Sequence, residues 1–294
     1  MTAMPGQWIY VNGAFHKAEA ARISPFDRGF LFGHAAYEVT AVYNNKLIDF
    51  DGHIARLKRT LDGLEIPAEL DNLESLHTEL MARNDMSEGL IYLHITAGDY
   101  GHRDFYGPET FTPSVFMFST EKRLINDAAR DGISAITLED TRWQRRDFKT
   151  TQLLSQSLAY RKARRASATT AFMHEDGVIT EAASANAWIC LADGTLVTRA
   201  LSPAILPGIT RESVLQLLSP RGLHVEERSF TVTEAKAAAE CFTSSAGAII
   251  APVVKLDDTP IGTGQPGPIT RTVQKAYYEH IGADVAVAAP WVLV

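Results

Sequence analysis

Arg142-Trp143-Gln144-Arg145-Arg146-Asp147-Phe148-Lys149-Thr150 is the stretch on which the reading of this chain turns. Lys149 closes a strand-like run among apolar and cationic neighbours. Nearby cations and desolvation both lower a lysine pKa, and a neutral amine is what Schiff-base chemistry requires. Taken alone, such a lysine also reads as an ordinary surface side chain. Two segments downstream give it a context. Asp176-Gly177-Val178-Ile179-Thr180-Glu181-Ala182-Ala183-Ser184-Ala185-Asn186 ends a hairpin strand on Glu181. Leu206-Pro207-Gly208-Ile209-Thr210-Arg211-Glu212 turns at a glycine into a helix start.

Each segment has a bland reading and a chemical one. A glutamate at a strand end is ordinarily solvated. Opposite a pyridine ring it would keep the ring nitrogen protonated, so that the ring withdraws electrons. A helix start after glycine is ordinary too, yet its uncapped N–H groups bind phosphate readily.

Working outward, the 294 residues allow two modest domains or one large one. The chain is 46% hydrophobic and 21% charged, which is globular composition. A net charge of −7 argues against nucleic-acid or anionic-membrane partners. The densest basic run, Arg161-Lys162-Ala163-Arg164-Arg165, reads as a solvated helix face. Cys190 and Cys241 sit in apolar runs and read as buried thiols, not a disulfide framework. The start shows no basic-then-apolar leader pattern, and no run reaches the roughly 18 apolar residues a membrane span needs. A cytoplasmic location is the simplest expectation. Dinucleotide and phosphate-loop glycine motifs, a Gly-x-Ser-x-Gly elbow and zinc-ligand spacings are all absent from the sequence.

The elements mix without regular βαβ alternation, which gives an α+β class. Trp8–Val11 before Asn12-Gly13, and Val39–Tyr43 before Asn44-Asn45 and Lys46–Phe50, read as hairpins. Helical spacing covers His53–Leu64, Leu76–Ala82, Thr151–Arg165, Arg211–Leu218, Thr233–Ala239 and Ile269–Ile281. Leu90–Thr96, Ser114–Ser119 and Ile133–Leu138 read as strands, and two hairpins turn at Asp176-Gly177 and Asp193-Gly194. Cys241–Val254 is strand-rich around Ser244–Gly247. The polar stretch Glu121–Ala129 is where two domains would join. The expected division is 1–120, a linker over 121–128, and 129–294.

Seen together and in order, the segments resemble class IV, fold type IV, pyridoxal-phosphate (PLP) aminotransferases. The resemblance runs through Asp27-Arg28-Gly29-Phe30-Leu31-Phe32-Gly33, Tyr37-Glu38-Val39, His53-Ile54-Ala55-Arg56-Leu57, Lys149, Thr180-Glu181, Asn186, Gly208-Ile209-Thr210-Arg211 and Pro252-Val253. Glu139–Trp143 and Asp147–Lys149 match the D-amino-acid branch best. The family implies a small N-terminal α/β domain, a larger β-rich C-terminal domain and PLP in the cleft between them. It implies that Lys149 bears the cofactor and moves the proton, and that Glu181 meets the ring nitrogen. Arg56, Ile209, Thr210, Ser245 and Ala246 would hold the phosphate. Relatives usually place Thr where this chain has Ala246, so one hydroxyl contact is missing. Tyr37 would line the substrate pocket. A homodimer, an amino donor and a keto-acid acceptor complete the expectation.

Substrate choice depends on how a carboxylate is met. D-amino-acid aminotransferases carry an Arg-x-His trap in the loop that here reads Thr96-Ala97-Gly98-Asp99-Tyr100-Gly101-His102-Arg103-Asp104-Phe105-Tyr106-Gly107. That order is absent, and His102 and Arg103 stand in as shifted substitutes. The expected reaction moves an amino group from a D-amino acid or (R)-amine to a keto acid. Three alternatives stay open: a branched-chain L-amino-acid aminotransferase, an aminodeoxychorismate lyase on the same fold, and a PLP-binding protein without turnover.

Overall fold

The computed structural model describes residues 7–293. The first six residues, where the expected first domain begins, lie outside the described residues. The chain divides into two compact units. One takes in the described residues up to Arg123 together with Phe148–Gln152, and the other takes in Leu124–Asp147 and the described residues from Leu153 onward.

In the first unit the chain runs β1 (Trp8–Val11), β2 (Ala14–Lys17), α1 (Arg28–Phe32), β3 (Ala35–Tyr43), β4 (Lys46–Leu47), α2 (Phe50–Gly63), α3 (Leu73–Arg83), β5 (Gly89–Thr96) and β6 (Ser114–Glu121). The strands form an antiparallel sheet in the order β2-β1-β6-β5-β3-β4. Both expected hairpins form, because Asn12, Gly13, Asn44 and Asn45 accept positive φ. The second arm of the second hairpin is shorter than expected. Asp49, at φ 52°, turns the chain, and Phe50 already belongs to α2. Period-two alternation sends Ile91, Leu93 and Ile95 of β5 into a core with Leu57, Leu61, Leu80 and Met117. Leu90, Tyr92 and His94 alternate onto the other face.

The second unit continues with α4 (Asp127–Asp131), β7 (Ile133–Glu139), α5 (Leu154–Arg165), β8 (Thr170–Glu175), β9 (Val178–Ala182), β10 (Asn186–Cys190), β11 (Leu196–Thr198), α6 (Ile209–Leu218), β12 (Val225–Glu227), α7 (Val232–Ala237), β13 (Glu240–Ser245), β14 (Ile249–Leu256), β15 (Thr259–Pro260), α8 (Pro268–His280) and α9 (Val285–Ala288). Its sheet runs β12-β11-β10-β13-β14-β7-β8-β9, with β15 on β14. All five residues of β10 are buried, as befits a central strand covered on both faces. Asn126 caps α4 inside the stretch expected as a linker. Both cysteines are buried free thiols. On α5 the buried face is Ala159 and Ala163, while Leu154 and Leu158 are exposed. The fold is α+β.

The run ahead of Lys149 corrects one expectation: residues 142–148 form no strand. Arg142, Arg145 and Arg146 instead turn toward the carboxylates of Asp140, Asp147 and Glu175. The cations expected to depress the lysine are each paired. Regular pairing resumes only at the lysine itself, and it resumes on the first unit. The Lys149 carbonyl accepts from the Tyr37 N–H at 2.9 Å, and the Thr151 N–H donates to the Ala35 carbonyl.

Candidate active site

In the first unit, β3 and α2 together position the lysine. Its backbone pairs with the start of β3, and its N–H donates to the Thr60 Oγ1 of α2 at 3.3 Å. Its amine lies 4.2 Å from the centre of the Tyr37 ring. The neighbouring Phe148 ring fills the space left by Gly63, where an added Cβ would stand 2.2 Å from it. Gly63 is the last residue of α2, where glycine costs less than the roughly 1 kcal/mol of a helix interior. Here it lets Phe148 lie against α2 and fixes the residue next to the lysine.

Tyr37 opens an aromatic face. It stacks on Tyr92 at 5.4 Å, and Tyr92 stacks on Phe118 at 4.8 Å. His94, opposite Tyr37 in the β3–β5 register, packs on Phe116 at 4.4 Å. Residues directly opposite on paired strands share a face, so His94 and the lysine amine lie on the same side of the sheet. Burial lowers the His94 pKa to about 4, which makes the ring neutral near pH 7.

The other face of β3 carries a buried charge cluster. Arg56 forks onto Glu38, with Nε to Oε1 at 2.8 Å and Nη2 to Oε2 at 2.7 Å. His53 Nδ1 meets the same carboxylate at 2.8 Å. Burial pushes the Glu38 carboxyl up, but the guanidinium and the ring outweigh it and hold the pKa well below the usual range. The Arg56 guanidinium is therefore held in place by Glu38. The sequence reading named Arg56 and missed its partners. The signal was there: His53, Arg56 and Thr60 share the helical spacing of Leu57 and Leu61, so polar groups lie on the buried face.

His102 and Arg103 lie exposed in the loop between β5 and β6. The His102 ring packs on Tyr100 at 4.7 Å, and Arg103 lies over the Phe32 and Phe105 rings. The loop is tethered by the buried Arg28, whose guanidinium donates to the Asp104 and Phe105 carbonyls.

In the second unit, β9 buries Glu181. Its Oε1 accepts from Asn186 Nδ2 at 3.2 Å and from the Leu206 N–H, and its Oε2 accepts from Arg142 Nη1. Burial raises the Glu181 pKa despite that guanidinium. Asn186 also donates to the Leu206 carbonyl, which ties the strand to the turn before α6. A Cβ on Gly208 would stand 1.9 Å from Asn186 Oδ1, so any other residue there forces Asn186 to shift. Beyond that turn α6 starts without a side-chain cap. Among the described residues the N–H groups of Ile209 and Thr210 and the Thr210 hydroxyl have no hydrogen-bond partner. The turn at Ser245 is held by the Ala248 N–H donating to Ser245 Oγ at 3.2 Å, and Ala246 lies within it. Trp188 Nε1 braces the adjacent Ser244 hydroxyl.

Each unit by itself offers groups of a kind that PLP would use: the first an amine resting on a tyrosine, the second a buried carboxylate with an acceptor position and a helix start with N–H and O–H donors. Among the described residues no group of three or more His, Cys, Asp or Glu side chains suits a metal ion. No helix among them is long and apolar enough to cross a membrane.

Comparison with known proteins agrees with the chemistry. The sequence profile of amino-transferase class IV matches residues 35–256. The D-alanine aminotransferase of Bacillus licheniformis is 35% identical over 280 residues, covering 95% of this chain and 98% of the relative. That of Staphylococcus aureus is 33% identical over 275 residues, covering 93% and 97%. Among solved structures, the T.th. branched-chain amino acid aminotransferase with pyridoxamine 5'-phosphate superposes with a TM-score of 0.85 at 24% identity, covering 95% of each chain. The branched-chain enzyme of Escherichia coli gives 0.82 at 24%, covering 93% of each. These likenesses show the fold, which is that of the fold type IV aminotransferases. Class IV aminotransferases depend on PLP. This chain belongs to the class IV aminotransferase family.

Proposed function

We propose that this enzyme moves an amino group from a D-amino acid or (R)-amine to a keto acid, with PLP as cofactor. The observation that carries the reading is the 35% identity, over nearly the whole chain, to a relative named D-alanine aminotransferase. PLP, when bound, would supply an electron sink for the donor's α-carbon. Lys149 takes the proton from the donor's α-carbon at Nζ, with Tyr37 under the amine and Thr60 fixing the backbone. Glu181 would meet the ring N–H at Oε2. Ile209, Thr210, Ser245 and Ala246 would hold the phosphate, and Arg56, kept in place by Glu38, would add its positive charge. The aromatic face of Tyr37, Tyr92, Phe116 and Phe118 suits an apolar substituent. His102 and Arg103 meet a substrate carboxylate from their loop. That loop lacks the Arg-x-His order, which favours (R)-amines as a second donor class.

A homodimer belongs to the same reading. Phe30, Phe105 and Tyr106 of the first unit are 76%, 71% and 92% exposed, and large exposed apolar groups mark contact surfaces. A cytoplasmic location accords with two buried free thiols. The deciding experiment is an absorbance spectrum of the purified protein before and after D-alanine, L-leucine or (R)-1-phenylethylamine, each added separately. A violet band bleached by D-alanine or the (R)-amine is the expected result. Bleaching by L-leucine alone would move the assignment to the branched-chain enzymes. A colourless protein that takes up no PLP would end it.

A further inference from the structure

Glu181 does not face a guanidinium of its own. Arg142 is divided between two buried carboxylates, and the division is unequal. Asp140 receives Arg142 Nε at 3.0 Å, Nη2 at 2.7 Å and the Arg142 backbone N–H at 3.0 Å. Glu181 receives Nη1 alone. Thr180 Oγ1 adds a further donor to Asp140 at 2.6 Å. Arg146 gives Asp140 little more, since it stands 3.5 Å away and pairs with the half-exposed Glu175 at 2.6 Å. The remaining groups against Glu181 are neutral: Asn186 from β10 and the Leu206 N–H ahead of α6. Lone-pair counting follows directly. Oε1 has two donors and is full, while Oε2 has one donor and keeps one acceptor position.

We propose that Asp140 is a positioning residue for the cofactor's ring nitrogen: by drawing Arg142 onto itself, it leaves Glu181 a single guanidinium contact and one Oε2 position open for a ring N–H. The inference rests on the reading that Glu181 meets that nitrogen. Two buried carboxylates competing for one cation are driven apart in proton affinity. Burial pushes both carboxyls up; at Asp140 the guanidinium, the Thr180 hydroxyl and the Arg142 N–H together outweigh it and hold the group low, whereas at Glu181 burial prevails. Without the Asp140 charge, Arg142 turns its fork onto Glu181. That lowers the basicity of Glu181 and fills the open position.

The test uses holoenzyme loaded with PLP carrying nitrogen-15 in the ring, observed by NMR in wild type, Asp140→Asn and Asp140→Glu. Wild type should show a protonated ring nitrogen. Asp140→Asn should move the resonance toward the unprotonated position. It should also lower kcat about tenfold, the equivalent of one unit in the proton affinity of Glu181, with KM for the donor nearly unchanged. Asp140→Glu, which restores the charge, should restore both. An Asp140→Asn enzyme with the wild-type resonance and kcat overturns the inference, and so does an Asp140→Glu enzyme that behaves like Asp140→Asn. An unprotonated ring in wild type overturns the role of Glu181 itself. Should Asp140→Asn fail to fold, carboxyl carbon-13 titration of the cofactor-free wild type decides, with Glu181 assigned by its loss in Glu181→Gln. Glu181 should titrate above the ordinary carboxylate range and Asp140 below it, and the reverse order overturns the proposal.

Discussion

Glu38 and Glu181 are both buried carboxylates beside a guanidinium, yet they end on opposite sides of the ordinary range. Glu38 owns a whole fork and a ring nitrogen, whereas Glu181 has a share of one. Glu38→Gln should leave Arg56 as an uncompensated buried charge. Stability should fall by about 3–5 kcal/mol, read as a lower denaturant midpoint. An unchanged midpoint would mean that Arg56 finds its counter-charge elsewhere. Lys149→Ala should remove the violet band and lower turnover by about 10²–10⁴-fold. Turnover near wild type would discard the assignment of the lysine.

At the scale of elements, α2 joins the core to the site. Its terminal Gly63 would normally invite replacement by alanine, which gains at most about 1 kcal/mol of helix propensity. Against the Phe148 ring the added methyl overpacks, at about 1–3 kcal/mol. Gly63→Ala should therefore lower the melting temperature, and it should slow turnover because the lysine next to Phe148 shifts. A stabilised, fully active variant would show that the ring moves freely. On α3, His77 is fully buried against Phe50, with its Nδ1 on the Leu73 carbonyl and its Nε2 without a partner. Burial lowers its pKa from 6.5 to about 4. As pH falls below 6.5 the unfolded chain takes up the proton first, so stability is full above that pH and declines toward pH 4. The decline amounts to about 3 kcal/mol, and His77→Leu should flatten it in melts recorded across that range.

These elements also show what a sequence can disclose. Turns were legible where positive φ demands Asn, Asp or Gly, as at Asn12-Gly13 and Asp176-Gly177. The helices His53–Leu64 and Ile269–Ile281 were legible because their apolar spacing is strong, and both form to within a few residues. Short pieces such as α1 and β15 were not, since two to five residues hold no period. For the proposed site, Lys149 and Glu181 were singled out from the order of their segments along the chain. The sharing of Arg142 could not, because Asp140 and Glu181 come together only when β9 pairs beside the connection after β7. The run before Lys149 misled because apolar and aromatic residues suggest a strand, while its arginines fold back onto local carboxylates.

For the whole molecule, the exposed aromatic residues of the first unit and the apolar side chains Leu154 and Leu158 on α5 predict self-association. Sedimentation should give about twice the 32.2 kDa chain mass, and a monomer at micromolar concentration would remove the dimer from the reading. The division of the chain has another outcome. Phe148–Gln152 belongs with the first unit although the sequence on both sides of it belongs to the second. No single cut therefore yields two self-sufficient halves. A gene split after residue 123 would give one fragment lacking Lys149 and the strip that pairs with β3, and another carrying that strip with no strand to receive it. Domain exchange between relatives at that boundary would transplant the lysine along with the wrong half. A chimera that respects the architecture has to exchange this pentapeptide with the first unit.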